Sequence, residues 1–93
     1  MPDTERDVIS IRMTGRVQGV GLRYFIVRLA NEFGMRGFVR NEPDGSVYVE
    51  CYPGNGFDMF LEKLRAEHPG HIDNIKITRV KTEEYLDSFM IRH

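Results

Sequence analysis

Ile9-Ser10-Ile11-Arg12-Met13-Thr14, running into Gly15-Arg16-Val17-Gln18-Gly19-Val20-Gly21-Leu22-Arg23, is the stretch on which the reading of the chain turns. In its first half Ile9, Ile11 and Met13 alternate with Ser10, Arg12 and Thr14, the period of two expected of a strand with one buried face. Its second half carries Gly15, Gly19 and Gly21. From Leu22 the period changes. Leu22, Phe25, Ile26, Leu29, Ala30 and Phe33 form one apolar stripe at helical spacing, and Gly34 closes the helix as a C-cap. A glycine-rich loop between a strand and a helix start suits an anion. Glycines let several N–H groups converge, and the helix start adds unpaired N–H groups and the positive end of its dipole. Arg23 falls in the first helical turn, where its planar guanidinium can grip a phosphate or carboxylate through two parallel hydrogen bonds. Alone, such a loop more often marks a plain turn beside a surface arginine, so the rest of the chain decides.

Working outward, Met35 to Asn41 reads as a short strand carrying Phe38 and Val39, and Glu42-Pro43-Asp44-Gly45 as a tight turn. Val47, Val49 and Cys51 then alternate with Ser46, Tyr48, Glu50 and Tyr52, which makes residues 35–52 a β-hairpin. Pro53-Gly54-Asn55-Gly56 breaks the strand. Phe57, Phe60, Leu61 and Leu64 mark a second helix that ends before Pro69-Gly70. His68 to Asp73 reads as a loop, Ile75 and Ile77 belong to a strand running to about Val80, and Phe89 and Ile91 to a short last strand. Upstream, Met1 to Asp7 reads as a polar lead-in. The order β-α-β-β-α-β is the ferredoxin-like split βαβ arrangement, of the α+β class. It predicts a four-stranded antiparallel sheet, extended by a short C-terminal strand, with two helices on one face and the first and third strands central. Residues 1–93 read as a single domain.

Composition narrows the function. With 13 basic and 14 acidic residues and a formal net charge of −1, the chain has no general attraction for nucleic acid or anionic lipid, so any anion site must be local. No run is apolar enough for a membrane span, and the N-terminus lacks the apolar segment of a signal peptide. The single cysteine fits a reducing compartment, and a cytoplasmic location is expected. Cys51 alternates with Val47 and Val49, so it reads as a small core residue. His68, His71 and His93 lack metal-ligand spacing. Glu83, Glu84 and Asp87 read as solvated surface, and Tyr48 and Tyr52 as packing on one strand face.

The glycine loop leaves the C-terminal end of the first strand. The first helix returns the chain, so the second strand runs parallel to the first and ends, at Asn41, on the same sheet edge. Arg23 and Asn41 are thereby expected to face one small pocket. A guanidinium to hold phosphate and a neutral amide to orient water suffice for hydrolysis of an activated phosphate ester or anhydride, chemistry that rests on positioning and electrostatic stabilisation.

At this point the chain resembles the acylphosphatase family. Gly15-Arg16-Val17-Gln18-Gly19-Val20-Gly21-Leu22-Arg23 is similar to the first signature of that family. Gly37-Phe38-Val39-Arg40-Asn41, with Gly45-Ser46-Val47, is similar to the second, and Phe89-Met90-Ile91-Arg92 resembles the usual ending. The resemblance implies a hydrolase that splits acyl phosphates into a carboxylic acid and phosphate without metal or other cofactor. It implies that Arg23 binds the phosphate, that the loop containing Gly15, Val17, Gln18, Gly19, Val20 and Gly21 cradles it, and that Asn41 orients the attacking water. The partners implied are a small acyl phosphate and inorganic phosphate or a similar anion, with no nucleic acid, no membrane and a monomeric state.

Three positions depart from the pattern. Leu22 stands where an aromatic residue is usual, Gly54 comes one position late, and His93 replaces a terminal tyrosine. The late glycine suggests either a bulge or a longer exit into the second helix. None of the three is expected to touch Arg23, Asn41 or the glycines. The alternative function is a non-catalytic phosphate- or RNA-binding module, the latter prompted by Arg36-Gly37-Phe38-Val39, a run shared in part with an RNA-recognition signature.

Overall fold

The computed structural model describes residues 5–93. The polar lead-in reading of residues 1–4 lies outside the described residues. The elements are β1 (Arg6–Arg16), α1 (Leu22–Glu32), β2 (Gly37–Asn41), β3 (Val47–Cys51), α2 (Phe57–Glu67), β4 (His71–Thr82) and β5 (Phe89–Arg92). The sheet order is β4-β1-β3-β2-β5, so β1 and β3 are central as expected. The first four strands pair antiparallel, and β5 joins the free edge of β2 in parallel.

Alternation along each strand separates two faces. Ile9, Ile11, Met13, Val39, Val47, Val49, Cys51 and Phe89 meet Leu22, Ile26, Leu29 and Ala30 of α1 and Phe60 and Leu64 of α2 in one core. Burial of this apolar surface is the main favourable term in folding. The opposite face is covered by side chains alone. There the Arg12 and Arg40 guanidiniums each stand 5.0 Å from the centre of the Tyr48 ring, and Arg92 stands 4.1 Å from that of Phe38. Tyr52 does more than pack. Its hydroxyl donates to Glu84 O at 3.0 Å and accepts from Leu86 N at 2.7 Å, which ties the segment before β5 to the sheet.

Some boundaries differ from expectation. Arg6 and Asp7 belong to β1, opposite Thr82 and Lys81, and Lys81 Nζ lies 2.9 Å from Asp7 Oδ1. β4 begins at His71, well before Ile75. A register shift at Thr14/Gly15 places Ile72 opposite Gly15 and Asn74 opposite Thr14. The extra residue lets both Ile72 and Ile75 pack against the core although they are an odd number of positions apart, which hides the strand period from the sequence. The late Gly54 marks a longer exit rather than a bulge, because the β2–β3 register is unbroken from Asn41↔Val47 to Gly37↔Cys51. α1 closes through Gly34 N to Asn31 O (3.3 Å) and Met35 N to Ala30 O (2.8 Å), the paired bonds of a Schellman end. No helix among the described residues is long and apolar enough to cross a membrane.

Gly37 opens β2 with φ 148°, and a methyl group there would run into the Glu50 carbonyl oxygen and Cys51 Cα of β3. Gly37→Ala should therefore cost about 3 kcal/mol in urea unfolding. Unchanged stability would mean that the β2–β3 spacing can widen freely.

Candidate active site

The site is assembled from the end of β1, the start of α1 and the end of β2. Gly21 occupies the N-cap of α1 in the left-handed region, φ 83°, where a side chain would be strained. α1 has no side-chain cap and no acidic residue in its first turn. Its first N–H groups therefore lack a side-chain acceptor, and the first helical bond runs from Phe25 N to Gly21 O at 3.1 Å. An uncapped helix start with this polarity favours a negative charge.

Arg23, half-buried, extends from that first turn. Arg12, Arg40 and Arg92 each pair with a carboxylate, whereas Arg23 forms no ion pair among the described residues. Its nearest polar partner is the imidazole of His93, with Nη1 and Nδ1 3.5 Å apart. His93 thus touches Arg23, contrary to the sequence expectation. The reason is topological: β5 lies parallel to β2, and the pair Arg40↔Arg92 delivers the next residue, His93, to the level of Asn41.

Asn41 ends β2 opposite Val47. Its Oδ1 is shut off from solvent and has no hydrogen-bond partner among the described residues. A buried amide oxygen left unpaired costs about 1–3 kcal/mol. The turn behind it is held firmly. Glu42 N donates to Ser46 O at 2.9 Å and Gly45 N to Glu42 O at 3.1 Å. Asp44 Oδ1 accepts from Ser46 Oγ at 2.6 Å and from Ser46 N at 2.9 Å. The Ser46 hydroxyl, and then its N–H, hold the Asp44 carboxyl below the ordinary carboxylate range.

Gln18 joins loop to turn. Its Nε2 donates to Glu42 O and to Ser46 O, both at 2.8 Å. The amide therefore shapes the loop and is not a solvent-facing side chain. Ser46 was not legible as a site residue, although it is 2% exposed and its hydroxyl accepts from Arg12 Nη1 at 2.9 Å. An amide inside a glycine loop, followed by a tight hairpin turn, is the sequence signal for such a tie.

Val17, Gly19, Gly21, Leu22, Arg23, Tyr24 and Asn41 line a cleft of about 140 Å³. The structure thus brings Arg23 and Asn41 to one cleft with Val17, Gly19 and Gly21. Gly15, Gln18 and Val20 do not line it: Gly15 pairs with Ile72 inside the sheet, and Val20 packs beside Gly70. Leu22, 1% exposed, fills an apolar position at the helix start. A wider groove of about 360 Å³ follows Arg65, His68, Ile72 and Asn74, but it has neither a helix N-terminus nor an unpaired buried acceptor. Elsewhere, His71 Nε2 lies 3.0 Å from Asp73 Oδ1 and His68 Nδ1 3.2 Å from Pro69 O. Among the described residues no three of His, Cys, Asp and Glu group as metal ligands. Cys51 is fully buried, and burial, then the charge of Glu50, pushes its thiol up to about 12.

The acylphosphatase family model matches residues 9–91. Acylphosphatase of Archaeoglobus fulgidus is 34% identical over 87 residues, 91% of this chain and 97% of the relative. That of a Nocardioides species is 39% identical over 93 residues, 94% of this chain and 89% of the relative. The crystal structure of acylphosphatase from Bacillus subtilis superposes with a TM-score of 0.81 at 30% identity, covering 95% of this chain and all (100%) of that one. HypF of T. kodakarensis superposes with a TM-score of 0.85 at 26% identity, over 95% of this chain but 12% of the larger one.

Two outcomes follow from the local geometry. Gln18→Ala removes both ties to the turn, and inorganic phosphate inhibition should weaken by about fivefold, equivalent to about 1 kcal/mol; unchanged inhibition would separate the tie from the loop's function. Cys51 should resist iodoacetamide at pH 8 in the folded protein and react once urea unfolds it. Rapid alkylation of the folded protein would contradict its burial.

Proposed function

The chain belongs to the acylphosphatase family, and from that premise we propose how its cleft hydrolyses an acyl phosphate. Arg23 binds the phosphoryl oxygens through its guanidinium fork, and the N–H groups of the loop from Val17 to Gly21 and of the α1 start complete the cradle. The Asn41 side chain, which lines the cleft, orients a water molecule through its amide and aims the water oxygen at phosphorus. That oxygen bonds to phosphorus as the bond between phosphorus and the acyl oxygen breaks, and the bonding pair leaves with the carboxylate. A phosphoryl oxygen of the substrate takes the water's proton, so no side-chain base is required. The leaving carboxylate is stable as an anion and needs no general acid.

The observation that carries this reading is that Arg23, which has no carboxylate partner among the described residues, and Asn41 line one cleft with Gly19 and Gly21 at the start of α1. A neutral amide can orient a water molecule without neutralising the cation that holds the substrate. No carboxylate is among the cleft-lining residues, in keeping with a metal-free mechanism. The enzyme is read as a single-domain monomer, and the buried thiol of Cys51 fits a cytoplasmic site of action. An RNA-binding role is disfavoured by Phe38. It is 3% exposed beneath Arg92 and cannot serve as a stacking platform.

Benzoyl phosphate hydrolysis in the presence of a chelator tests the assignments. Arg23→Ala should lose both turnover and phosphate inhibition, and Arg23→Lys should recover little, because an ammonium lacks the fork. Asn41→Ala should lower kcat by about a hundredfold while inorganic phosphate still competes. Full turnover by Asn41→Ala would refute its water-positioning role, and loss of activity with the chelator would refute the metal-free mechanism.

A further inference from the structure

The sequence placed His93 outside the site; its position in the fold places it at the rim. On β5, Phe89 and Ile91 face the helices and pack with the core. By alternation His93 falls on that same face, whereas Arg92 lies on the opposite one, over the Phe38 ring and bonded to Glu84. The parallel register with β2 carries His93 to the level of Asn41, and its Nδ1 lies 3.5 Å from Arg23 Nη1.

We propose that His93 is a further anion-binding residue of the cleft, an acceptor for Arg23 when neutral and a donor to the bound phosphate when protonated. The proposal rests on Arg23 being the phosphate ligand. Imidazole is the side chain whose charge ordinarily changes between pH 5 and 8, and its nitrogen accepts a hydrogen bond only when unprotonated. In the neutral form, Nδ1 draws on the same guanidinium that must grip the substrate. Protonation ends that competition and adds a second positive charge beside the first. The two cations repel each other in the empty site, and a dianion between them relieves the repulsion. Anion binding and proton uptake therefore favour one another, and by linkage the coupling is reciprocal.

The charged groups on the neighbouring elements are engaged elsewhere or make no bond to His93. On β2, Arg40 is engaged by Glu42, with Nε 3.1 Å from Oε2. In the segment before β5, Glu84 is engaged by Arg92; Glu83, Tyr85 and Asp87 make no hydrogen bond or ion pair with His93. From α1, Tyr24, Arg28 and Glu32 likewise make none.

Sulfate is the probe of choice because it stays a dianion throughout this range, whereas inorganic phosphate changes charge within it. Its inhibition of benzoyl phosphate hydrolysis should tighten about fivefold in the parent protein between pH 8 and pH 5.5, the scale of one exposed charge contact. His93→Gln should flatten that dependence. His93→Lys, charged at both pH values, should hold the tighter inhibition at both. An unchanged pH dependence in His93→Gln would overturn the proposal. Absence of sulfate competition in the parent at either pH would instead overturn the phosphate-binding reading of Arg23 on which it stands.

Discussion

The bonds from Gln18 Nε2 to the carbonyl oxygens of Glu42 and Ser46, both at 2.8 Å, are where the two halves of the site meet. One half is the glycine loop and the start of α1. The other is the hairpin turn after Asn41. The second is closed locally by Asp44 and Ser46, whereas the first is a helix start without a side-chain cap. Neither specifies its distance from the other. A neutral amide sets that distance without adding a charge beside the cleft. On the proposed mechanism a positioned water is useful only at a near-attack separation from phosphorus, and such a tie would hold it there.

The tie can work only because of how the sheet is wound. β1 and β2 run parallel with β3 between them, so both end at the same edge. The two helices and the core then lie on one side and leave the other to side-chain cover. On that second face the arginines are spent on aromatic rings and carboxylates: Arg12 and Arg40 around Tyr48 and Glu42, Arg92 on Phe38 and Glu84. Arg23 stands apart from this arrangement. It lines the cleft at the start of α1 without a carboxylate partner among the described residues, which is why the proposed function gives it the phosphate.

Much of the fold was legible in the sequence. The alternation Ile9-Ile11-Met13, the stripe from Leu22 to Phe33 and the turn Glu42–Gly45 are local patterns, and each appears as read. The misreadings have a common cause. β4 is an edge strand with most of its residues exposed, so it needs no apolar alternation, and its bulge breaks what period remains. The start of β1 at Arg6 depends likewise on a partner, Thr82, at the far end of the chain. The late Gly54 could not be assigned to bulge or loop because register belongs to a pair of strands.

By itself, then, the sequence determined the order of elements, the anion-friendly loop, and the identity of Arg23 and Asn41 as residues on one edge. Periodicity, turn chemistry and crossover handedness are properties of short segments, and they survive without knowledge of the whole. Only the tertiary structure decided that Asn41 Oδ1 is buried without a partner, that Gln18 turns to the hairpin, and that His93 reaches Arg23. These depend on contacts between residues as many as 70 positions apart. Such contacts follow from the parallel docking of β5 on β2, which leaves no periodic trace in either strand alone.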